Sequence, residues 1–339
     1  MSSQLFGGVH TQNFKHFDLS TLVVKSEVLK KNPLKDSTTR FNPILIPKNN
    51  SGKLPIVFVL SGFAGHPAKY MSPRFHEDNF IQELDQLIAA NKAPLAYYVF
   101  VDAYTFWGGS QFINSNGMGR YEDYIVKELL EQVVAYFQID SKKVCAFGGS
   151  SGGYGALSLA RSYPDLFNYI GAIAPDSFFE ASLLPEIREN LIKLEQNGGV
   201  ESVQKKFKED QFIKKRDSFG IANIIAMGLC YATTKDEPFK IKWPIDLRTG
   251  ELIAQNWKLW LKHDPIEFLK NANLNKSQKF YLDVGIYDQF QLQYGTRQIA
   301  DILKSKKVEV RSGEFVGNHF DISSRRSDFF AWLNKVWGH

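Results

Sequence analysis

The chain has 339 residues, of which 44% are hydrophobic and 23% charged, as in globular proteins with a sizeable core. Its net charge of +5, from 41 basic and 36 acidic side chains spread along the sequence, does not indicate a nucleic-acid-binding protein. Two cysteines are too few for a disulfide framework, no apolar stretch reaches the ~20 residues of a membrane span, and residues 1–22 lack the pattern of a signal peptide. We therefore expect a cytoplasmic protein without a membrane span.

Apolar runs of strand length alternate with amphipathic segments of helix length over most of the chain. In chain order, we predict strands at residues 22–29, 40–47 and 55–60, a helix at 80–90, a strand at 96–101, a helix at 121–137, a strand at 143–147, a helix at 155–161, strands at 169–174 and 279–284, a helix at 291–303, a strand at 308–315 and a helix at 328–337. This order is typical of an α/β fold in which helices cover both faces of a mostly parallel sheet.

The alternation of strands and helices stops between residues 177 and 263. This stretch contains two predicted helices, at 185–195 and 200–212, and no convincing strand. We interpret 177–263 as a mainly helical insertion within a single domain that spans 1–339, rather than as a second domain.

Residues 148–157 carry the strongest chemical signal and read Gly-Gly-Ser-Ser-Gly-Gly-Tyr-Gly-Ala-Leu. They follow a predicted strand and open a predicted helix, the context in which G-x-S-x-G marks a nucleophile elbow. Such a turn presents a serine at the N-terminal end of a helix, where the helix dipole favours negative charge. The pattern alone leaves two candidates, because Ser150 and Ser151 each have glycines two positions before and after. A glycine-rich turn without catalysis is the alternative interpretation.

A catalytic serine needs a base and an acid that orients the base. His319 lies beyond the last predicted strand, and Asp288 follows the penultimate one. The resulting chain order of serine, aspartate and histidine is the order found in α/β-hydrolases. The rival acids are Asp176, Asp283 and Asp321, and the rival bases, which we expect to be surface or helix-capping residues, are His66, His76 and His263.

The oxyanion that forms during acyl transfer needs two backbone N–H donors. The residue after the nucleophile, Ser151, is predicted to supply one of them. The second should come from the loop after the strand at 55–60, where residues 61–65 read Ser-Gly-Phe-Ala-Gly. Glycines in that loop allow the backbone to approach a ligand closely, although an ordinary turn would also contain them.

Together, these segments resemble the esterase D group of α/β-hydrolases, which includes S-formylglutathione hydrolases, feruloyl esterases and mycolyltransferases. Four parts of the chain carry the resemblance: residues 60–63, residues 109–115 followed by 119–124, residues 148–157 and residues 282–290. The resemblance implies an α/β-hydrolase fold and selects Ser150 as the nucleophile, because the family's serine stands two places before a double glycine. It also implies that Asp288 is the triad acid and that the backbone N–H of Phe63 is the second oxyanion donor.

These residues predict a serine carboxylesterase that hydrolyses a small or medium ester through an acyl-enzyme on Ser150. His319 would act as the base, Asp288 would orient it, and no metal or organic cofactor is expected. Two alternatives stay open: an acyltransferase that uses the same triad, and a non-catalytic binding protein on a hydrolase fold.

Four aromatic residues are candidates for contact with the ester. Trp107 follows the strand at 96–101, and Phe178, Phe179 and Trp243 belong to the insertion, which we expect to cap the active site. For each of them, a purely structural role in the core is the alternative. The expected partner is a small-molecule ester, with no nucleic acid, and the oligomeric state, a homo-oligomer included, is left open.

Overall fold

A mostly parallel sheet of eight strands forms the centre of the computed structural model, which describes residues 14–48, 52–209 and 218–338. The ten strands are β1 (Phe17–Lys25), β2 (Thr39–Pro47), β3 (Leu54–Leu60), β4 (Tyr97–Phe100), β5 (Asn114–Ser115), β6 (Gly119–Arg120), β7 (Ile139–Gly149), β8 (Tyr169–Ile173), β9 (Lys279–Gly285) and β10 (Glu309–Phe315). The large sheet has the order β1-β2-β4-β3-β7-β8-β9-β10, and β5 and β6 form a separate pair. Strands β1 and β2 run antiparallel to their neighbours, and the other six are parallel.

Helices cover both faces of this sheet, as the sequence predicts. They are α1 (Phe80–Ala89), α2 (Tyr121–Asp123), α3 (Leu130–Tyr136), α4 (Ser151–Ser162), α5 (Leu183–Gln196), α6 (Gly199–Lys208), α7 (Ser218–Tyr231), α8 (Ala254–Leu261), α9 (Pro265–Asn271), α10 (Leu292–Ser305) and α11 (Arg326–Val336). A π-helical turn at Tyr124–Leu129 joins α2 to α3, and two 3₁₀ helices lie at Pro67–Tyr70 and His319–Arg325. Within the described residues, no helix has the length and hydropathy needed to cross a membrane.

The central strand β3 shows why its sequence is a continuous apolar run. Ile56 and Phe58 face one hydrophobic core, which also contains residues of α4, whereas Val57 and Val59 face a second core with residues of α1 and α11. All four side chains are buried, because a parallel strand at the centre of such a sheet is covered on both faces. Strand β3 also pairs in parallel with β7, the strand that leads into the turn at Ser150.

The first strand departs from its predicted range, since β1 covers residues 17–25 rather than 22–29. It is an edge strand and pairs with β2 alone, so only every second side chain needs to be apolar. The polar residues Asp18 and Ser20 therefore fit the strand, although they interrupt the apolar pattern.

In the part of the chain that the structure describes, five helices, α5 to α9, lie between β8 and β9, and α5 to α8 fall within the predicted insertion at 177–263. Helix α5 packs against α7, and α9 packs against α4 and α10. The predicted helix at 200–212 ends at Lys208 in the structure, and residues 210–217 lie outside the described part of the chain. Residues 1–13, which belong to the segment predicted to lack a signal peptide, also lie outside it. The division into one domain with an insertion stays a prediction.

Candidate active site

Ser150 occupies the tight turn between β7 and α4. Its backbone has φ 57° and ψ −128°, a conformation that non-glycine residues rarely adopt. A Cβ at Gly152 would clash with the carbonyl oxygen of Leu60, and one at Gly148 would lie 2.5 Å from the carbonyl carbon of Gly152. The glycines two positions before and after Ser150 are therefore required by the close approach of backbones. Ser151, by contrast, is the first residue of α4.

Ser150, His319 and Asp288 form one chain of hydrogen bonds. His319 Nε2 lies 3.0 Å from Ser150 Oγ, and His319 Nδ1 lies 2.7 Å from Asp288 Oδ2. The Asp288 side chain is fully buried, and its other oxygen, Oδ1, accepts the backbone N–H of Phe290 at 2.9 Å. Because the carboxylate can only accept, Nδ1 of His319 carries the proton and Nε2 is free to accept the hydroxyl proton of Ser150.

The loops that hold this histidine and aspartate follow the neighbouring strands β10 and β9. The carboxyl ends of parallel strands meet at one edge of the sheet, so the two loops lie side by side above it. A Cβ at Gly285 would lie 2.5 Å from the carbonyl oxygen of Gly317, which shows how closely they pack. The backbone N–H of His319 donates to Gln289 Oε1 at 3.0 Å, and Asn318 caps the 3₁₀ helix that His319 begins. These contacts fix the position of the imidazole.

The rival acid Asp176 lies on the serine side of the site. Ser150 Oγ donates to Asp176 Oδ1 at 3.2 Å, while Ser151 Oγ at 2.7 Å and Gln111 Nε2 at 3.0 Å donate to Asp176 Oδ2. Ser150 has a single hydroxyl proton, so Asp176 and His319 are alternative acceptors for it. Our sequence analysis considered Asp176 only as a partner of the histidine and missed its contact with the nucleophile itself.

The remaining rival acids have other partners. Asp283 is fully buried inside β9 and accepts hydrogen bonds from Arg325 and Tyr281. Asp321 accepts the backbone N–H of Asn318 and thereby completes the cap of the 3₁₀ helix. Neither carboxylate is bonded to His319.

Two of the rival histidines lie where we expected them. His66 caps the 3₁₀ helix at Pro67–Tyr70, and His76 is exposed. His263 is half-buried, its ring stacks on Tyr231, and burial lowers its pKa to about 4. The side chain is therefore neutral at neutral pH.

Two backbone N–H groups lie next to Ser150 without a hydrogen-bond partner in the described part of the chain. They belong to Phe63 and Ser151, which both line the cavity at the nucleophile. A Cβ at Gly62 would lie 3.6 Å from the Cβ of Ser150, so the loop after β3 directly adjoins the serine. The role of these two N–H groups as oxyanion donors stays a prediction.

A cavity of about 330 Å³ opens at Ser150 and lies beneath helices α5 and α7. Its walls are mostly apolar and aromatic. The apolar and aromatic residues that line it are Phe63, Phe179, Leu183, Phe219, Met227, Tyr231, Phe290, Leu292, Phe320 and Ile322. The volume is at the lower end of the range for small-molecule sites, so it suits a small or medium ligand.

Of the four aromatic residues predicted to contact substrate, Phe179 lines this cavity. The other three are corrections to the prediction. Trp107 is only 2% exposed and its ring packs on Phe207 at 5.4 Å in the core. Trp243 stacks on Trp260 with ring centroids 6.1 Å apart, and Phe178 packs against the core from the segment that leads into α5. Each of these three side chains therefore has the structural role in the core that the sequence analysis gave as the alternative.

The polar residues of the cavity wall that the sequence analysis did not propose include Glu186 on α5 and Asn223 on α7, and Lys69, Gln111 and Ser182 also line it. Asn223 Nδ2 donates to Glu186 Oε2 at 2.6 Å. Burial is the largest cause that raises the pKa of Glu186 to about 7, and the hydrogen bond from Asn223 opposes it. Single polar residues on two helices carry no sequence signal, because only the packing of α5 on α7 brings them together. Among the described residues, no group of three or more histidines, cysteines and carboxylates is arranged to hold a metal ion.

Comparison with known sequences gives a match to the esterase family described as "Putative esterase", whose model covers residues 38–322. S-formylglutathione hydrolase of Mus musculus is 26% identical over 182 residues, which cover 51% of this chain and 59% of that protein. The Bos taurus enzyme shows the same identity and coverage. The chain thus aligns with less than two thirds of the length of these curated relatives.

Comparison with solved structures identifies the fold. A ferulic acid esterase aligns with a TM-score of 0.60 and 16% identity, over 96% of this chain and 100% of that chain. The S-formylglutathione hydrolase of Agrobacterium tumefaciens aligns with a TM-score of 0.57 and 15% identity, over 95% of this chain and 96% of that chain. The eight-stranded architecture is therefore the α/β-hydrolase fold, as the sequence predicted.

Proposed function

The chain belongs to the esterase family whose model matches residues 38–322, and from this premise we propose that it is a serine carboxylesterase. Ser150 would be its nucleophile, His319 its general base and Asp288 the acid that orients the base. The observation that carries the proposal is the unbroken chain of hydrogen bonds from Ser150 Oγ through His319 to Asp288, at 3.0 Å and 2.7 Å.

Acylation would begin when Ser150 Oγ attacks the carbonyl carbon of the ester and its proton passes to His319 Nε2. The negative charge that develops on the carbonyl oxygen would be stabilised by the N–H groups of Phe63 and Ser151. Collapse of the tetrahedral intermediate breaks the bond to the alcohol oxygen, which takes the proton from His319. The acyl group then remains on Ser150 as an ester.

Deacylation would repeat these steps with water. His319 Nε2 removes a proton from a water molecule, the resulting hydroxide attacks the acyl-enzyme, and the proton returns to Ser150 Oγ as the acid leaves. The buried carboxylate of Asp288 would stabilise the imidazolium in both halves of the reaction. The mechanism uses side chains and backbone alone, so it needs no metal or organic cofactor.

We propose a small or medium carboxylic ester as the substrate class. The cavity of about 330 Å³ supports this size, and its apolar walls suit an acyl or aryl group. Helices α5 and α7 contribute much of these walls, which supports a role of the 177–263 insertion as a cap that sets substrate choice. The names of the relatives include a hydrolase of a formyl thioester and an esterase of ferulic acid, so they support acyl transfer to water without selecting one acyl group. A cytoplasmic location is likewise our proposal, which subcellular fractionation tests.

The experiment combines a fluorophosphonate probe with a panel of 4-nitrophenyl esters of graded acyl length. The wild-type chain should react with the probe and hydrolyse the shorter esters, and Ser150→Ala should do neither at an unchanged melting temperature. A wild-type chain that resists the probe and hydrolyses no ester would instead be a non-catalytic binding protein. Adding an alcohol acceptor and analysing the products separates hydrolysis from acyl transfer, since a transferase would form the new ester in preference to the free acid.

A further inference from the structure

Two polar side chains interrupt the apolar roof of the active-site cavity. Glu186 and Asn223 lie on α5 and α7, and both line the cavity that also contains Ser150. Their apolar neighbours in the wall include Leu183 on α5 and Met227 on α7, one helical turn away from Glu186 and Asn223 respectively. The triad does not use either polar residue.

The hydrogen bond between these two side chains leaves an acceptor on each. Asn223 Nδ2 donates to Glu186 Oε2, while Glu186 Oε1 and Asn223 Oδ1 have no hydrogen-bond partner in the part of the chain that the structure describes. Neither oxygen is among the unpartnered polar atoms that are shielded from solvent, so each has accessible surface. Because both residues line the cavity, we expect a molecule inside it to reach these oxygens.

Burial favours the neutral form of Glu186, and its pKa of about 7 lets the carboxyl titrate near neutral pH. The hydrogen bond from Asn223 acts in the opposite direction and favours the carboxylate, which is an acceptor. Asp176 and Glu189 also raise this pKa, and His319 lowers it, which places Glu186 within electrostatic range of the catalytic groups.

We propose that Glu186 and Asn223 form a polar subsite that recognises a hydrogen-bond donor, a hydroxyl or an ammonium group, on the part of the ester that fills the cavity. This inference rests on the proposed function. A hydroxyl on the ester can donate its single proton to one of the two free oxygens, and an ammonium group, with three N–H donors, can donate to both. An isosteric ester without the donor leaves a desolvated carboxyl unpaired, which is the situation in which binding sites discriminate most strongly.

The test uses matched esters that differ only in the distal group. In the acyl series, the methyl esters of (4-hydroxyphenyl)acetic, (4-methylphenyl)acetic and 4-(aminomethyl)phenylacetic acid are compared, so that the distal group is insulated from the carbonyl. In the alcohol series, the acetates of the corresponding 2-arylethanols are compared. The measured quantity is the ratio of kcat/KM for each donor-bearing ester to kcat/KM for its methyl analogue.

In at least one series, the wild-type ratio for the hydroxyl or the ammonium ester should exceed the ratio in Glu186→Leu by about 10- to 100-fold. Glu186→Gln separates the two donors, because it keeps an acceptor oxygen and removes the charge. It should preserve preference for a hydroxyl and abolish preference for an ammonium group. Glu195→Leu is the matched control on the same helix, since Glu195 is exposed, does not line the cavity and is not among the groups that shift the pKa of Glu186. It should leave every ratio unchanged.

If the ratios in the wild-type chain and in Glu186→Leu are equal in both series, the polar subsite is refuted. The proposed esterase activity is not affected by that result. If Glu186→Leu does not fold, the same ratios are measured in Asn223→Ala. Ratios in Asn223→Ala that equal those of the wild-type chain then refute the subsite. Hydrolysis of 4-nitrophenyl acetate, which carries no distal donor, is measured in every variant. Its absence in the wild-type chain would reject the proposed function, and the subsite with it.

Discussion

Replacing Asp288 by asparagine tests the proposed triad most directly, because the two oxygens of its carboxyl group have different partners. Oδ2 accepts the proton on His319 Nδ1 at 2.7 Å, and Oδ1 accepts the backbone N–H of Phe290 at 2.9 Å. Asparagine has nearly the same shape, but it offers one oxygen and one NH₂ group. It can satisfy only one of the two partners.

Each orientation of the new amide has a defined consequence. If its oxygen accepts the N–H of Phe290, its NH₂ group faces His319 Nδ1 and forces the ring proton onto Nε2, which then cannot accept the proton of Ser150. If its oxygen faces His319 instead, two donors meet at Phe290, and an unpaired buried donor costs about 1–3 kcal/mol. We therefore expect the first orientation and a loss of about 10⁴-fold in kcat, equivalent to about 5.5 kcal/mol of transition-state stabilisation.

The assay measures kcat/KM for 4-nitrophenyl acetate and the rate of fluorophosphonate labelling, with the melting temperature as a check on folding. Asp176→Asn is the matched control, because it changes a carboxylate that contacts Ser150 and leaves the pair of His319 and Asp288 intact. Loss of one hydrogen bond near the nucleophile should reduce activity by about 100-fold at most. The two variants should therefore differ by at least about 100-fold in rate.

The opposite order would refute the reasoning. If Asp176→Asn loses about 10⁴-fold and Asp288→Asn stays within about tenfold of the wild type, the acid of the triad is Asp176. Similar losses in both variants would mean that the two carboxylates act together on the serine and the histidine.

Three further predictions follow from the same geometry. Ser150→Ala should abolish ester hydrolysis and probe labelling, whereas Ser151→Ala should keep much of both, because the proposed role of Ser151 uses only its backbone; the reverse outcome would make Ser151 the nucleophile. Phe63→Pro removes an oxyanion donor and should lower kcat by about 150-fold, or ~3 kcal/mol, with little change in KM. Phe63→Ala keeps the backbone N–H and should lower kcat less. Equal losses of kcat in the two variants, if both fold, would contradict a backbone role for Phe63. Phe179→Ala should change the ratio of kcat/KM between long and short acyl esters by up to about 100-fold, while Trp243→Ala, whose ring lies outside the cavity, should lower the melting temperature and leave that ratio alone. An unchanged ratio in Phe179→Ala would show that this residue does not select the acyl group.

The sequence predicts the parts of the fold in which local pattern and tertiary role agree. The strand at 55–60 is apolar at every position because the sheet buries both faces of β3. The glycines two positions before and after Ser150 predict a tight turn, because a side chain at either position would clash with the backbone. The histidine and the aspartate follow from the order of strands, since the active site of this fold gathers at one edge of the sheet.

Other elements leave no such pattern. Helix α7 is buried on nearly all sides, so its apolar residues do not alternate with polar ones and the amphipathic signature of a helix is missing. The predicted helix at 121–137 contains a π-helical turn at Tyr124–Leu129, and a hydrophobic period does not reveal a change in hydrogen bonding. Elements of this kind are defined by what packs around them rather than by their own composition.

The residues of the active site likewise include some that a local sequence pattern predicts and others that only the folded structure reveals. A large aromatic side chain fits a substrate wall and a protein core equally well, so Phe179 and Trp243 could be told apart only by their surroundings. Glu186 and Asn223 meet across two helices that are separated in the sequence, and Asp176 contacts the nucleophile from the loop after the neighbouring strand β8. Contacts between elements of this kind require the folded chain.

At Ser150, the backbone conformation that presents the nucleophile also lowers the stability of the folded chain. With φ 57° and ψ −128°, the serine holds a conformation that costs about 1–3 kcal/mol in a residue with a side chain, and glycine would adopt it freely. Ser150→Gly would relieve this strain, at an entropic cost of about 0.5–1 kcal/mol in the unfolded chain, and would remove the attacking oxygen. Selection for heat resistance alone would thus move the protein away from catalysis at this residue. Attempts to engineer a more heat-stable form should therefore leave the turn untouched and seek their gains away from the active site, for example at exposed loop residues such as Lys35 and Asn91, which also have positive φ angles.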